Sequence, residues 1–437
     1  MESNFKRHAS VLAAAGLVLS LGACDDLLRV SNPGAIEDED VNDTFFIPQM
    51  VNAAVHSLQS NFSFLSYAGA ILTDEALNGH NFVGWQDIDL RIMEDHTGQV
   101  LDVYQAAQAG RAVGDDMIER LRPLIDNEGT HLGLATALAY NGYAYVILGE
   151  YYCSTPVAAD GPAVSSDAIL LMAVQRFDEA IRIAQAGSGA EAQRILNLAR
   201  VGAARASLQQ GKKAEAIQYA TPVPADFVAW VRHASSPTSL RNYYWGATTG
   251  TNRTIGVDPS FRGLNDARVR HTLTSRTGHN QKTRLFTPAR SPAFAGWHSD
   301  TPMNASETVL INQLGIQQDT DMRLASGVEA RYILAEAGGM SDAALRDFIN
   351  SRRAVGKQPP FPGTDLQAEL REQRRRDFFL GGHRVGDLRR YQKLYNVDDW
   401  PKGPHPNDAE WGWGEYGTAT CFIPHRNEAT SNPNYKP

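Results

Sequence analysis

The sequence predicts an all-α protein in which helices pack in pairs and one irregular, loop-rich subdomain interrupts them. Apolar residues recur at spacings of three and four along much of the chain, whereas the strict alternation typical of half-buried strands is scarce. The helical period disappears between residues 225 and 306 and again after residue 398. The 437 residues are 43% hydrophobic and 21% charged, which is the composition of a folded protein.

Charge and composition exclude several classes of protein. The formal net charge is −8, whereas a general nucleic-acid-binding protein would carry a basic surface. The three cysteines are too few for a disulfide scaffold or a four-thiolate zinc site. Beyond the N-terminus no stretch approaches the roughly 20 apolar residues that span a bilayer. We therefore expect most of the chain to be soluble.

Residues 1–23 have the features of an export signal. Positive charge at Lys6 and Arg7 is followed by an apolar run over residues 11–23, which is short for a membrane span. The run ends in Leu21-Gly22-Ala23-Cys24, which resembles the bacterial lipobox, with Cys24 as the residue that would carry a lipid such as palmitate. The alternative is an ordinary secretory signal with an incidental cysteine. We predict a lipid-anchored protein, because several acyl chains anchor stably where one does not.

Residues 24–224 are predicted to form an N-terminal helical part. Residues 97–126 place apolar side chains on one stripe, and residues 132–149 are apolar nearly all round, as in a helix that is buried between neighbours. Further helices are predicted around residues 170–184 and 191–211, followed by a short helix that ends before Pro222.

These helices carry a degenerate repeat signature. The small and aromatic residues of Ala173-x3-Phe177-x2-Ala180 match the second helix of a tetratricopeptide unit, in which the aromatic ring fills the gap between helices. Gly142-x2-Tyr145 resembles the first helix of the same unit, although no regular period of about 34 residues emerges. We therefore predict a tetratricopeptide-like array that serves as a scaffold.

The remaining chain is predicted to form two parts. Residues 225–306 are rich in Arg, Thr, Gly, Pro and aromatic residues, and about 80 residues without helical periodicity indicate a functional subdomain rather than a simple loop. Residues 307–437 contain a predicted helix pair at 321–338 and 341–355, with Ser341 as N-cap, and then an irregular tail.

The cysteines permit two interpretations. If Cys24 carries a lipid, Cys153 and Cys421 remain, and two thiols in an oxidising compartment often pair. A bridge that closes so long a loop would stabilise the fold by several kcal/mol in the chain-entropy description. Both residues could instead be buried free thiols. We predict the disulfide.

Four separated segments resemble those of the SusD/RagB family of outer-membrane nutrient-binding lipoproteins. Their order and spacing cover almost the whole chain. The segments are residues 21–24 with 28–33, 329–337 with 348–353, 372–390 (EQRRRDFFLGGHRVGDLRR) and 421–424 with 432–434. The chain departs from the family at Leu380-Gly381, which replaces an acidic-glycine pair, and at Val385, where an aromatic residue is common.

The resemblance implies a binding protein with no catalytic activity and no cofactor. Members of the family have tetratricopeptide-like helix pairs and an irregular ligand-binding subdomain. They act as a lid on a SusC-like TonB-dependent transporter in the outer membrane, to which they deliver an oligosaccharide or another nutrient. Asp25-Asp26 resembles the export signal of surface lipoproteins, so we expect the protein to face the cell surface and to touch the membrane only through its lipid.

Aromatic side chains in two segments are the candidate ligand contacts. Sugars pack their C–H faces on aromatic rings, and the family's glycan binders use an arc of loop aromatics for this purpose. The matching positions are the loop at residues 78–87 and the middle subdomain. The candidates are the rings of Trp85, Tyr243, Tyr244, Trp245 and Trp297, with Asn81, Asp87 and Arg241 as polar partners. For each ring the alternative is internal packing, because Trp and Tyr are usually substantially buried.

Other patterns favour structure over chemistry. Arginines between residues 374 and 390 are interleaved with Asp377 and Asp387, which predicts ion pairs between helices rather than an anion site. Neither a His-Glu-x-x-His nor a Gly-x-Ser-x-Gly motif is present, and no metal site is predicted. The alternatives to a nutrient-binding protein are a lipid-anchored tetratricopeptide-type adaptor and a glycoside hydrolase that uses a pair of carboxylates.

Overall fold

The structure is a computed structural model that describes residues 43–248, 253–300, 306, 309 and 313–436. Residues 1–46 and 47–437 are separate compact units. In the first unit the described residues contain a 3-10 turn at Thr44–Phe46. The predicted signal, Cys24 and Asp25-Asp26 lie outside the described residues. All other elements belong to the second unit.

The second unit is mostly helical, which confirms the predicted all-α class. The helices of the described residues are α1 (Ile47–Leu72), α2 (Val83–Asp89), α3 (Gly98–Leu121), α4 (Leu132–Tyr151), α5 (Ser166–Ala186), α6 (Gly189–Gln209), α7 (Lys213–Ala220), α8 (Tyr243–Thr248), α9 (Gly327–Ala337), α10 (Asp342–Val355), α11 (Leu366–Asp377), α12 (Arg384–Tyr395), α13 (Asp408–Trp411) and α14 (Arg426–Ser431). The strands are β1 (Ala76–Asn78), β2 (Ser154–Thr155), β3 (Val164–Ser165), β4 (Val228–Val231), β5 (Ile255–Val257), β6 (His271–Thr277), β7 (Arg284–Pro288) and β8 (Met322–Ser326).

Successive helices pack on one another to form the predicted array. Helix α1 contacts α3 and α4, and each helix from α4 to α7 packs on the next. Helix α9 continues the stack on α6 and α7, and α10 packs on α11. Helix α12 returns to α1 and α4, so the C-terminal part closes back on the first helices. This is the arrangement of a tetratricopeptide-like scaffold.

The ring of Phe177, on α5, fills the space between α4 and α6. A Cβ atom at Gly142 of α4 would lie 2.7 Å from this ring, and one at Gly202 of α6 would lie 2.2 Å from it. Phe177 itself is fully buried and meets Tyr143 edge to face, with 5.1 Å between ring centroids. The two glycines therefore make room for the ring, as the repeat signature predicts.

Helix α4 is the apolar centre of the array. The expectation that no stretch beyond the N-terminus approaches the length of a membrane span is wrong for this helix, whose 20 residues are long and apolar enough by length and composition. However, 83% of the apolar window is buried inside the molecule. The sequence predicts that residues 132–149 form a helix buried between neighbouring helices, because they are apolar on nearly all sides. The structure agrees, since most residues of α4 are buried. The composition of α4 is thus that of a core helix.

The predicted helix at residues 321–338 is wrong at its start. Residues Met322–Ser326 form β8, which pairs antiparallel with β4, and the helix α9 begins at Gly327. All five residues of β8 are buried, so the strand lacks the polar alternation that would have distinguished it from a helix. The end of α9 agrees with the prediction, because Gly338 adopts φ 86° and Ser341 accepts a hydrogen bond from the backbone of Ala344.

The middle segment contains strands that pair beyond its own boundaries. Strand β5 pairs antiparallel with β1, and β4 pairs with β8. Strands β6 and β7 form a hairpin, and β7 also contacts β5. These pairings attach the loop-rich segment to the helical scaffold on both sides.

Most arginines between residues 374 and 390 form buried or partly buried ion pairs, which confirms their structural interpretation, whereas Arg389 donates to the backbone carbonyls of Gly149 and Glu150. The guanidinium of Arg384 makes two hydrogen bonds to Asp74 of 2.6 and 2.8 Å, and Arg390 makes two to Glu336 of the same lengths. Arg374 donates to Asp387 at 2.8 Å. These charges connect α12 to α9, to α11 and to the end of α1.

A disulfide joins Cys153, just after α4, to Cys421 in the C-terminal tail, with 5.7 Å between their Cα atoms. The adjacent backbone of Phe422 donates to the carbonyl of Tyr151 at 2.7 Å. The rings of Tyr151 and Phe422 stack at 5.5 Å. The tail is therefore attached to the core of the array by a covalent bond and by packing.

Candidate functional site

The loop between β1 and α2 presents one set of side chains outward and another inward. The backbone N–H of Asn78 donates to the carboxylate of Asp89 at 2.7 Å, and the side-chain carbonyl of Asn78 accepts from the backbone N–H of His80 at 2.7 Å. These bonds turn the chain sharply before α2 begins at Val83. The turn places His80, Asn81 and Phe82 before the helix, while Trp85 lies on its inner face.

Trp85 belongs to an aromatic core beneath this loop. Its side chain is only 3% exposed and meets the ring of Tyr67 of α1 edge to face at 5.1 Å. Phe64 of α1 contacts both Trp85, at 6.0 Å, and Tyr243 of α8, at 5.0 Å. Tyr244 is fully buried against Phe294 and Tyr67. Three of the predicted ligand rings are thus brought together, but Trp85 and Tyr244 are covered by protein.

An exposed rim lies above this core. The imidazole of His80 stacks on the ring of Phe82 with 4.9 Å between centroids and 29° between planes. Phe82 is 53% exposed, and Asn81 beside it is also exposed. His279, from the turn between β6 and β7, lies 6.3 Å from His80. We call these four residues, His80, Asn81, Phe82 and His279, the aromatic rim.

Three segments that are distant in sequence hold the rim in place. The backbone of Asn280 donates to Gly79 O at 3.0 Å, and the hydroxyl of Thr283 donates to Asn78 O at 2.6 Å. A Cβ atom at Gly278 would lie 2.7 Å from Gly79, so the two backbones approach closely and require glycine. Asn407 in the C-terminal tail donates to Thr283 at 3.2 Å.

The tail also adds an aromatic ring next to the hairpin turn. Trp411 of α13 is half-buried, and the ammonium of Lys282 lies 5.7 Å from its ring centroid. His405, which precedes α13, stacks on Trp413 at 4.7 Å and lies 3.2 Å from the carboxylate of Asp89. The irregular tail therefore packs around the same loop.

The electrostatics of the rim favour uncharged imidazole at His80. Burial lowers the pKa of His80, a hydrogen bond with Asn81 opposes this, and His279 lowers it further. A neutral imidazole can donate one hydrogen bond and accept another. Burial also raises the pKa of the half-buried Asp87 carboxyl, with Glu94 adding to the effect.

The other predicted ligand residues make their contacts elsewhere. Arg241 is exposed and donates through Nε to Ser235 O at 2.8 Å. The indole nitrogen of Trp297 donates to Ala267 O at 3.3 Å. Trp245 is half-buried in α8. In the described part of the chain no group of three His, Cys, Asp or Glu side chains is placed to hold a metal ion.

The predicted segment at residues 78–87 contains the exposed ring of Phe82, which was not among the predicted ligand contacts. Phe82 and His80 lie within the predicted segment, and they were passed over in favour of Trp85. His279 and Trp411 come from other segments, and no local pattern connects them to this loop. The start of α2 at Val83 is the signal that could have separated Phe82 from the inner face of the helix.

Comparison with known proteins agrees with the architecture. No protein-family model matches the sequence, and no curated protein matches it. Solved structures do match along most of their length. A SusD homolog from Bacteroides thetaiotaomicron has 14% sequence identity and a TM-score of 0.65, with 93% of this chain and 99% of that chain covered.

Two further matches are similar in extent. The surface glycan-binding protein A from Bacteroides uniformis has 12% identity and a TM-score of 0.63, with 89% of this chain and 98% of that chain covered. A SusD-like carbohydrate binding protein from Bacteroides vulgatus has 15% identity and a TM-score of 0.62, covering 90% and 97%. The array, the loop-rich segment and these matches lead to one conclusion: the chain has the fold of the SusD/RagB family.

Proposed function

We propose that the protein is a lipid-anchored glycan-binding protein of the outer-membrane surface that delivers its ligand to a SusC-like TonB-dependent transporter. The observation that carries the proposal is the aromatic rim, because the exposed ring of Phe82 stacks on the half-buried imidazole of His80 beside the exposed Asn81. Structural neighbours described as carbohydrate-binding and glycan-binding proteins support this reading.

The rim has the chemistry that a sugar requires. The face of Phe82 offers apolar area to the C–H groups of a pyranose ring, and a partly exposed aromatic ring contributes more to binding than most side chains do. The amide of Asn81 and the imidazoles of His80 and His279 can exchange hydrogen bonds with sugar hydroxyls. Trp85 below the rim keeps the loop in one conformation by packing on Tyr67.

Removal of the exposed ring tests the binding site. The Phe82→Ala variant is expected to lose at least about tenfold in affinity, or about 1.4 kcal/mol, for whichever glycan the unaltered protein binds on an array. Isothermal titration with that glycan measures the change. The matched control is Leu171→Ala, which removes an exposed apolar side chain from α5 and should leave the affinity unchanged. Equal affinities of the two variants would contradict the site.

Incubation of the bound glycan with the protein distinguishes binding from hydrolysis. A binding protein returns the oligosaccharide intact when the mixture is analysed by chromatography. Shorter products that depend on one carboxylate of the chain would favour the glycoside hydrolase instead.

A further inference from the structure

We infer that the ligand of this site is an acidic oligosaccharide, whose carboxylate or sulfate groups contact the outer face of the β6–β7 hairpin. The inference rests on the proposed glycan-binding function and adds the chemical class of the glycan. It comes from the charge of the hairpin, which differs from that of the rest of the chain.

The hairpin and its flanks form a basic segment in an acidic protein. Residues 267–299 contain neither Asp nor Glu, whereas the formal net charge of the whole chain is −8. The Lys and Arg residues of the segment are Arg268, Arg270, Arg276, Lys282, Arg284 and Arg290. Arg268 does not contribute to the surface charge, because it is fully buried and pairs with Asp266.

Strand β7 places Arg284 on its outer face. Arg284 is exposed and Phe286 is half-buried, whereas the intervening Leu285 is buried. Successive side chains of a strand point to opposite sides, so Arg284 and Phe286 share the outer face. Lys282, in the turn two residues before Arg284, is also exposed. Leu273 lies opposite Phe286 on β6 and is 51% exposed.

A further cation lies on the same face. The guanidinium of Arg262 stacks on the ring of Phe286 at 3.8 Å. Its Nε and Nη2 donate to Val257 O at 2.8 and 2.6 Å, which leaves Nη1 available. Burial lowers the pKa of Arg262, and Asp258 offsets part of that effect.

These cations differ in their partners from the ion-paired arginines of the interior. Among the residues that the structure describes, Lys282, Arg284 and Arg262 form no ion pair with a carboxylate. By contrast, Arg376 and Arg384 in the interior are paired with Asp266 and Asp74. An exposed row of cations that lacks carboxylates attracts an anion, and guanidinium groups bind carboxylate and sulfate through directed hydrogen bonds.

The basic face is continuous with the aromatic rim. The turn that joins β6 to β7 carries both His279 of the rim and Lys282, and it is held to the rim loop by the bond from Asn280 to Gly79. One oligosaccharide can therefore stack on Phe82 and place its acidic groups against Lys282 and Arg284. Aromatic rings beside cations match a polymer that alternates C–H faces and anionic groups.

A pair of probes that differ only in charge tests the inference. Oligogalacturonate and alginate oligosaccharides are each compared with their carboxyl-reduced forms, and chondroitin sulfate oligosaccharides with their carboxyl-reduced, desulfated form, using the full lipid-anchored chain in detergent. At least one acidic probe is expected to bind tenfold or more tightly than its neutral form, with affinity that falls as salt is added. The Lys282→Gln/Arg284→Gln variant should lose that preference. The Lys212→Gln/Lys357→Gln variant, which removes two exposed charges elsewhere, should retain it.

Each result decides a different claim. Equal binding of acidic and neutral forms, or retention of the acidic preference by Lys282→Gln/Arg284→Gln, overturns the inference and leaves the glycan-binding function standing. If a single-stranded oligonucleotide binds as tightly as the acidic oligosaccharide, the inference is overturned as well, because the basic face then binds any polyanion and does not distinguish a glycan. If the protein binds neither the acidic probes nor any glycan on a neutral array, both the inference and the proposed function are overturned.

Discussion

Phe82 and Trp85 are three residues apart and occupy opposite environments. Trp85 is packed against Tyr67 and Phe64 of α1, whereas Phe82 precedes helix α2, is 53% exposed and stacks on His80. An aromatic side chain of this loop is either exposed or part of the core, and its position relative to α1 decides which. The sequence identifies this loop as aromatic, but exposure depends on α1, which lies earlier in the chain.

At the residue scale, Glu75 predicts a pH-dependent stability. The carboxyl is fully buried, and its Oε1 accepts from the backbone of Leu380 at 2.9 Å, while Oε2 has no hydrogen-bond partner among the described residues. Burial raises its pKa from the ordinary 4.5 to about 8, an effect that the Leu380 bond opposes. The folded state therefore keeps a proton that the unfolded state loses, so Glu75 contributes full stability below its ordinary pKa and progressively less as pH rises towards 8.

Glu75→Gln should remove this dependence, because an amide stays neutral and can still accept from Leu380. The denaturation midpoint of the variant relative to the unaltered protein is expected to rise between about pH 5 and about pH 8, with a contribution of about 1.4 kcal/mol for each pH unit of that interval. Glu119→Gln, on the exposed side of α3, is the control and should show no such trend. A midpoint difference that is constant with pH would show that Glu75 is ionised in the folded protein.

At the element scale, the repeat signature could be read from local residues because it describes contacts between adjacent helices. Ala173, Phe177 and Ala180 share one face of α5, and that face meets α4 and α6 directly. Strand β8 shows the opposite case. Its partner β4 lies almost 100 positions earlier, and both of its faces are covered, so no local period distinguishes it from the start of α9.

The close fit around Phe177 predicts the effect of small changes in helix α6. Gly202→Ala adds a methyl group where a Cβ atom would lie 2.2 Å from the Phe177 ring, and overpacking of this kind costs about 1–3 kcal/mol of unfolding free energy. Gly98→Ala in α3 is the control, because nothing lies within 4 Å of its Cβ position and alanine favours the helix. Chemical denaturation of both variants measures the difference. Equal stability of the two would mean that Phe177 moves aside freely.

At the scale of the whole molecule, the C-terminal arginine segment closes the array on its first helix. Arg384 pairs with Asp74, which is 310 positions away, and the disulfide between Cys153 and Cys421 spans 268 positions. Breaking one partner of a buried ion pair is costly, because the other charge remains without compensation. The ion pairs therefore give the arginine segment a structural role in the fold.

The whole chain is needed to test the partner and the anchor. Pull-down of the intact protein from solubilised outer membranes is expected to recover a large TonB-dependent barrel. The Cys24→Ala variant should be lost from the membrane fraction, because it lacks the residue that would carry the lipid. Recovery of the anchored protein without a barrel would remove the transporter from the proposal, and membrane retention of Cys24→Ala would remove the lipid anchor.

Local periodicity was sufficient to predict the helix pairs, the position of Phe177, and the ion-pairing role of the arginines between residues 374 and 390. The helix pairs and the position of Phe177 depend on residues of one element or of adjacent elements, whereas the interleaved charges predicted ion pairing without identifying distant partners such as Asp74. The tertiary structure alone decided that β8 is a strand, that Phe82 is exposed while Trp85 is buried, and that Lys282 and Arg284 have no carboxylate partner in the described chain. The local sequence determines which neighbouring residues a side chain can contact. Its exposure, and whether a carboxylate lies close enough to pair with it, depend on distant segments of the chain.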